Sequence, residues 1–284
     1  MIPMPLWRQA TGPISGAGIG LRSCHFGHIL EKRPSLPWFE ALTDNYLTAG
    51  GVAKKRLLDI ASNYPVTLHG VGMSLGGTEP LDKDYLRKLQ TLSRELRPAW
   101  ISEHLCWTSV HGVDLHELMP LPYTEETIRH VAERIKIVQD TFETRILLEN
   151  VSSYLTYDSS CMSEWDFLRQ IAEEADCLLL LDINNIYVSA INHEFDPRTY
   201  IDAIPAQRVA EYHLAGFEDK KTHLLDTHGA PVDQHVWDLY EYALRTIGAR
   251  PTLIERDNDI PGFEEVAAEA AIAQRMLEEV DVVA

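Results

Sequence analysis

Eight short apolar runs, spaced along the chain and separated by longer segments of helical periodicity, constrain the fold more than any other feature. They are GAGIGL (16–21), WFEAL (38–42), VTLHG (66–70), WISEHL (100–105), RILLEN (145–150), CLLLLDIN (177–184), VAEYHLAG (209–216) and TLIER (252–256). Each is strand-length, and four consecutive leucines in the sixth read as a strand buried on both faces. Between them, YTEETIRHVAERIKIVQDTF places Ile128, Val131, Ile135 and Val138 at helical spacing, with Thr124 as N-cap and Glu125 and Glu126 in the first turn. SEWDFLRQIAEEA opens on Ser163, and VDQHVWDLYEYALRTIG closes on Gly248 as a C-cap. The alanine-rich FEEVAAEAAIAQRMLEEV finishes the pattern. Strands alternating with crossover helices build a parallel sheet. Eight repeats predict an α/β fold, a (β/α)8 TIM barrel. A doubly wound sheet would want a strand–GxGxxG–helix unit, and GAGIGL has the wrong glycine spacing for one.

No low-complexity tract, charge block or Gly/Ser linker divides the 284 residues, so a single domain over 1–284 is expected. With 43 acidic against 25 basic residues the net charge is −18, which argues against a nucleic acid partner. The four cysteines, Cys24, Cys106, Cys161 and Cys177, show no CxxC spacing and suit reduced thiols. MIPMPLWRQATG lacks the apolar core of a signal peptide, and no stretch approaches the ~20 apolar residues of a membrane span. A cytoplasmic protein with no membrane association is expected.

In a barrel, chemistry gathers at the carboxyl ends of the strands. Here those ends carry His69, His104, Glu149, Asp182 with Asn185, His213 and Glu255, on the third to eighth strands in turn. LLDTHG, soon after the seventh, adds Asp226 and His228. Singly, each has a plainer reading as a turn residue, and Asp182 and Asn185 would form turns readily. Together, six of eight strands end in a side chain able to bind metal. A mixed imidazole and carboxylate set without thiolate suits iron, manganese or zinc in an open catalytic arrangement. Nine candidates exceed the four to six ligands of one ion. Two or three ions fit better, with Glu149, on the middle strand, as the bridge.

At these residues the chain resembles a known family. GIGLR, SEHLCW, PLPYTEE, LLENVSSY, LDINNIYVSAINHEFDP, YHLAGF, LDTHG and PTLIERD are similar to motifs of the multinuclear non-haem iron-dependent oxidative enzymes. The likeness runs from about Gly18 to Pro261. That family is similar in its metal positions to the xylose isomerase and apurinic endonuclease barrels. The resemblance implies iron- and O2-dependent modification of a residue, most often cysteine, in a ribosomally made precursor peptide. It also implies a small leader-binding partner protein. By motif, His69, His104 and Glu149 would hold one iron, and Glu149, Asp182, His213 and Glu255 a second. Asn185, Asp226 and His228 would hold a third, more labile one, since the endonuclease branch has histidine where Asn185 stands. Glu149, Asp182 and His213 are the expected catalytic ligands of a mixed Fe(II)/Fe(III) centre. The rival reading is a divalent-metal hydrolase or isomerase of the same barrel class. WFEALTDNYL departs from the family's EVHxENY form: Glu40, Asp44 and Asn45 keep the polar spacing while the histidine is gone. Asp44 and Asn45, with Arg22 and His25 after the first strand, are the candidate substrate contacts. Cys24 reads as a bystander.

Overall fold

A computed structural model describes residues 14–48 and 50–281; the segment MIPMPLWRQATG, read for a signal sequence, lies outside the described residues. Among the described residues eight parallel strands close into a barrel. They are β1 (Ala17–Gly20), β2 (Phe39–Leu42), β3 (Val66–Gly70), β4 (Ile101–His104), β7 (Leu147–Glu149), β8 (Leu178–Asp182), β9 (Val209–Leu214) and β12 (Thr252–Ile254). All eight fall within the apolar runs named above. The remaining strands form two antiparallel hairpins beyond strand ends: β5 (Trp107–Val110) with β6 (Val113–Met119), and β10 (Phe217–Asp219) with β11 (Leu224–Asp226).

The helices cover the barrel: α1 (Phe26–Lys32), α2 (Val52–Ala61), α3 (Lys83–Leu96), α4 (Glu125–Phe142), α5 (Glu164–Ala175), α6 (Ile183–His193), α7 (Pro197–Ala203), α8 (Gln234–Thr246) and α9 (Phe263–Asp281). Thr124 and Ser163 cap α4 and α5 as the sequence predicts, accepting from the Thr127 and Asp166 amides, each at 3.2 Å. Gly248 lies one residue past the α8 cap, Ile247, with φ +101°, and its amide bonds to Leu244 O. No described helix is long and apolar enough to cross a membrane.

Period-two alternation sorts the strand side chains into layers inside the barrel. Trp38 and Trp100 meet at the amino-terminal end, edge to face with ring centroids 6.0 Å apart. Gly18 of β1 makes room for them, because a Cβ there would fall 2.6 Å from the Trp38 ring. Above lies a middle layer containing Glu40, Thr67, Ser102 and Glu211, all buried. Two residues further along the strands come His69, His104 and His213, on the layer that faces the mouth.

Candidate metal centre

The mouth is built strand by strand. On β3 and β4, His69 Nδ1 lies 2.8 Å from Ser102 Oγ and His104 Nδ1 lies 3.0 Å from Gly70 O. Those contacts leave both Nε2 atoms facing Glu149 Oε2, each at 3.1 Å. From β9, His213 turns its other nitrogen inward: Nδ1 is 3.5 Å from Glu149 Oε1 and 3.0 Å from Glu255 Oε2. Glu149 therefore presents one oxygen to each histidine group, as a bridging carboxylate must. Three overlapping sets of ligand atoms result, His69–His104–Glu149, Glu149–Asp182–His213–Glu255 and His69–His213–Glu255, each gathered within 4.8 Å. Ligand bonds of about 2.0–2.2 Å put neighbouring donors roughly 3–3.5 Å apart around one ion, the spacing found here.

The decisive observation is what these atoms lack. Both Glu149 oxygens, Asp182 Oδ2, Asn185 Oδ1, both His213 nitrogens and His228 Nε2 are buried without a hydrogen-bond partner. Buried polar atoms are nearly always satisfied, and a group of orphans converging on one space fits metal ions.

Asp182 resolves the oddity of an acid placed after four leucines. β8 passes directly into α6, and Asp182 Oδ1 caps that helix by accepting the Asn185 amide at 2.6 Å. Its backbone is pinned by Asn150, whose side chain bonds the Asp182 N–H at 2.9 Å and its C=O at 3.0 Å. Turn former and ligand are thus both correct descriptions: one oxygen holds the helix, and the other remains free. Asn185 donates Nδ2 to Asn150 O at 3.1 Å, which orients its free Oδ1 away from that contact.

The third group is assembled by the β10–β11 hairpin. Asp226 Oδ1 sits 2.7 Å from His228 Nε2, and His228 Nδ1 lies 3.0 Å from Asp257 and 3.4 Å from Glu255. Asn184 rather than Asn185 touches Asp226, donating to Oδ1 at 2.9 Å, while Ser152 Oγ donates to Oδ2 at 3.1 Å. Asp257 completes a further set with His228 and Glu255 that the sequence reading left out.

Charges in the cluster are strongly coupled. Burial lowers the His69 proton affinity, but the Glu149 and Glu40 carboxylates outweigh it and push the pKa up to about 10. His213 and His228 are likewise raised well above their ordinary value, against burial, by Glu40, Glu255 and Glu149 and by Asp226 and Asp257 respectively. Glu149 runs the other way: burial raises it, yet His104, His69 and His213 hold it far below the usual carboxylate range. Asp182 is pushed up to about 8 by burial, with Glu149 and Asp226 adding to the effect.

The four expected substrate contacts fare differently. Arg22 is buried and committed to the protein, pairing with Asp257, lying 3.5 Å from Glu255 and donating to Arg256 O at 2.6 Å. Its place is behind the ligands, where its charge offsets theirs. His25 is also buried; its Nε2 is 2.9 Å from Pro261 O, and its ring meets Phe263 edge-on. Arg22 is held by these structural partners, whereas His25 keeps a buried Nδ1 without a partner. Asp44 accepts from the Val71 amide at 3.0 Å and Tyr85 Oη at 3.2 Å, so it braces the loop after β3. Asn45 stays exposed in the turn Thr43–Tyr46.

A closed parallel (β/α)8 barrel with a buried imidazole–carboxylate cluster at its carboxyl mouth, able to hold metal ions, defines the class. Comparison with known proteins narrows it. The family of RiPP precursor modification enzymes MbnB/TglH/ChrH, which act on ribosomally synthesised and post-translationally modified peptides, matches residues 16–278, and this chain belongs to it. A UPF0276 protein of Acaryochloris marina is 52% identical over 268 residues, covering 94% of this chain and 97% of its own. Another, from an Anaeromyxobacter species, is 47% identical over 260 residues, with 92% of each chain covered. Among solved structures, endonuclease IV from Thermus thermophilus superposes with a TM-score of 0.59 at 14% identity, over 93% of this chain and 99% of that one. A D-tagatose 3-epimerase-like protein gives 0.60 at 13% identity, over 95% and 100%. At such identities the likeness shows the barrel and not the reactions of those proteins.

Proposed function

We propose that this protein oxidatively modifies a residue, most often cysteine, in a ribosomally made precursor peptide, using two or three iron ions and dioxygen. The observation that carries the reading is the convergence of orphaned ligand atoms on both sides of Glu149, in a chain whose family modifies such peptides. His69, His104 and Glu149 would hold one ion; Glu149, Asp182, His213 and Glu255 a second; Asn185, Asp226 and His228 a third. Iron bound there would supply a Lewis acid for the substrate thiolate and the electrons that reduce dioxygen.

The chain's own residues fix the conditions of that chemistry. Ser102 and Gly70 orient His69 and His104 so that the two Nε2 atoms meet, 3.3 Å apart, beside Glu149. Glu149 and His213 are wholly enclosed, which keeps bulk water from the inner positions. Asp226 and His228, with side chains 15% and 11% exposed, mark the open side by which a peptide reaches the centre. The free thiols of Cys24, Cys106, Cys161 and Cys177 take no part in the ligand sets, leaving the thiolate to come from substrate. The reading extends to a small leader-binding partner and a cytoplasmic setting, which the family resemblance and the reduced cysteines support.

The test is to purify the protein anaerobically, count its metals, and add a cysteine-containing precursor peptide encoded beside its gene. Expected are at least two irons per chain, a sulfur-to-iron charge-transfer band, and a product mass change that requires O2. Zinc alone, with no band and no mass change, would overturn the proposal in favour of a hydrolytic centre.

A further inference from the structure

His213 differs from the other two histidines in what stands behind it. His69 rests on the Ser102 hydroxyl and His104 on the Gly70 carbonyl, with one carboxylate, Glu103, 3.7 Å from His104 Nδ1. Behind His213 are two buried carboxylates: Glu40 Oε1 is 3.2 Å and Glu211 Oε1 is 3.6 Å from Nε2. Each is held with its second oxygen tied to a neutral donor. Thr67 Oγ1 donates to Glu40 Oε2 at 2.9 Å, and Trp100 Nε1 to Glu211 Oε2 at 2.6 Å. The free oxygens are thereby aimed at one imidazole nitrogen from two different strands, β2 and β9. Burial of two acids within the barrel is costly unless they serve the group they face.

Neither contact has hydrogen-bond geometry here; we infer that Glu40 and Glu211 are positioning residues whose charge favours the proton of His213 on Nε2, so that Nδ1 is its ligand atom toward the ion of Glu149, Asp182 and Glu255. A carboxylate accepting the distal N–H of a metal-bound histidine fixes the tautomer and makes the ring a stronger donor. Here two acids face the far nitrogen of one ring, at a position that already has three carboxylates in its ligand set. The ion on that side is therefore more tightly bound than the one on the His69–His104 side. The arrangement could instead accommodate a cation between Glu40, Glu211 and His213 Nε2, which lie within 4.8 Å of one another. That alternative needs Nε2 without its proton, whereas the positioning role uses the ordinary neutral ring.

The inference rests on the metal-centre reading, and the experiment separates the two. Metal-free wild type, Glu40→Gln, Glu211→Gln and the double Glu40→Ala/Glu211→Ala variant are titrated with Zn2+ by calorimetry. Histidine-15N NMR of the zinc forms then shows which nitrogen of His213 carries the proton. Wild type should bind the tightest ion with Nε2 protonated. The double variant should lose about 10–100-fold in affinity for that ion, while binding at the His69–His104 side persists and reports an intact fold. The glutamines keep an acceptor oxygen and should fall between, with the Nε2 proton retained. Equal affinity across all four proteins, a His213 bound through Nε2, or zinc found between Glu40 and Glu211 would overturn the assignment. Wild type that takes up no ion at all would overturn the metal centre as well.

Discussion

Asp182 carries two separable tasks, and two substitutions distinguish them. Oδ1 caps α6 through the Asn185 amide, and Oδ2 is a buried orphan facing the ion position. Asparagine keeps the capping oxygen, since it is as good an N-cap as aspartate, but replaces the anionic ligand with an amide. Alanine removes both. The cap contributes about 0.5–2 kcal/mol, worth roughly 1–6 °C in Tm for a chain of this size. In the metal-free protein the Asp182 charge is itself unfavourable, because burial, Glu149 and Asp226 push its pKa up from 3.8 to about 8. The folded state then binds a proton that the unfolded state has released, so stability falls as pH rises from about 4 toward 8. Either substitution removes that slope. At pH 8, metal-free Asp182→Asn should melt at or above wild type, and Asp182→Ala below Asp182→Asn by the cap.

Ion content and turnover should respond to the lost ligand in both variants alike. Changes behind a ligand already cost about 10–100-fold, so loss of a ligand oxygen should lower turnover at least about a hundredfold. Calorimetric melts of metal-free protein, with iron quantified in parallel preparations, decide the matter. Equal Tm values for the two variants would refute the cap. A full iron complement with wild-type turnover in Asp182→Asn would refute the ligand.

Glu149→Gln, at the carboxylate shared by both sets, should reduce both ions rather than one, with turnover down at least about a hundredfold; elemental analysis showing one site untouched would contradict the bridge. Metal affinity should climb with pH through neutrality, about tenfold per unit for each proton displaced, because the imidazolium forms of His69, near 10, and of His213 must be discharged before they can ligate; a flat profile between pH 6 and 9 in a zinc titration would contradict it. Arg22→Ala removes one of three cationic neighbours of buried Glu255 and a partner of Asp257, and should destabilise the protein by about 1–3 kcal/mol; an unchanged urea midpoint would show the pair to be dispensable. Chelation with verified ion removal should lower the melting temperature, since an ion at a hundred times its Kd stabilises by about 2.7 kcal/mol; a constant Tm would argue against ion positions in the folded core.

The barrel strands were legible because each is a short apolar run between helical segments, and the ligands because they stand where those runs end. What escaped the sequence lacked that signal. The β5–β6 hairpin, WTSVHGVDLHELM, is polar and largely exposed, and its turn uses His111 and Gly112, both at positive φ, instead of the usual Asn-Gly pair. The start of α6 was read as the tail of a strand, since INNIY is β-branched and asparagine-rich, a composition that seldom begins a helix. Glu211 could have been found: it sits two residues before His213 on the same strand, and period two puts both side chains inside the barrel. Glu40 carried no such marker. Only closure of the barrel brings β2 opposite β9, and nothing local in WFEAL announces that contact. Asp257 likewise gains its partners, Arg22 and His228, from distant segments.

The order of the strands also writes an electrical asymmetry into the mouth. β3 and β4 supply two imidazoles hydrogen-bonded to neutral groups, with Glu103 3.7 Å behind His104, and their ligand set has a single carboxylate, Glu149, which is shared. The strands from β7 onward supply Glu149, Asp182 and Glu255 around His213, whose far nitrogen faces two further carboxylates. An anionic ligand set favours an ion of higher charge, and a neutral set favours a divalent one. Neighbouring positions joined by Glu149 would thus suit one metal in two oxidation states. The imbalance across Glu149 is therefore the feature that the proposed iron chemistry would use.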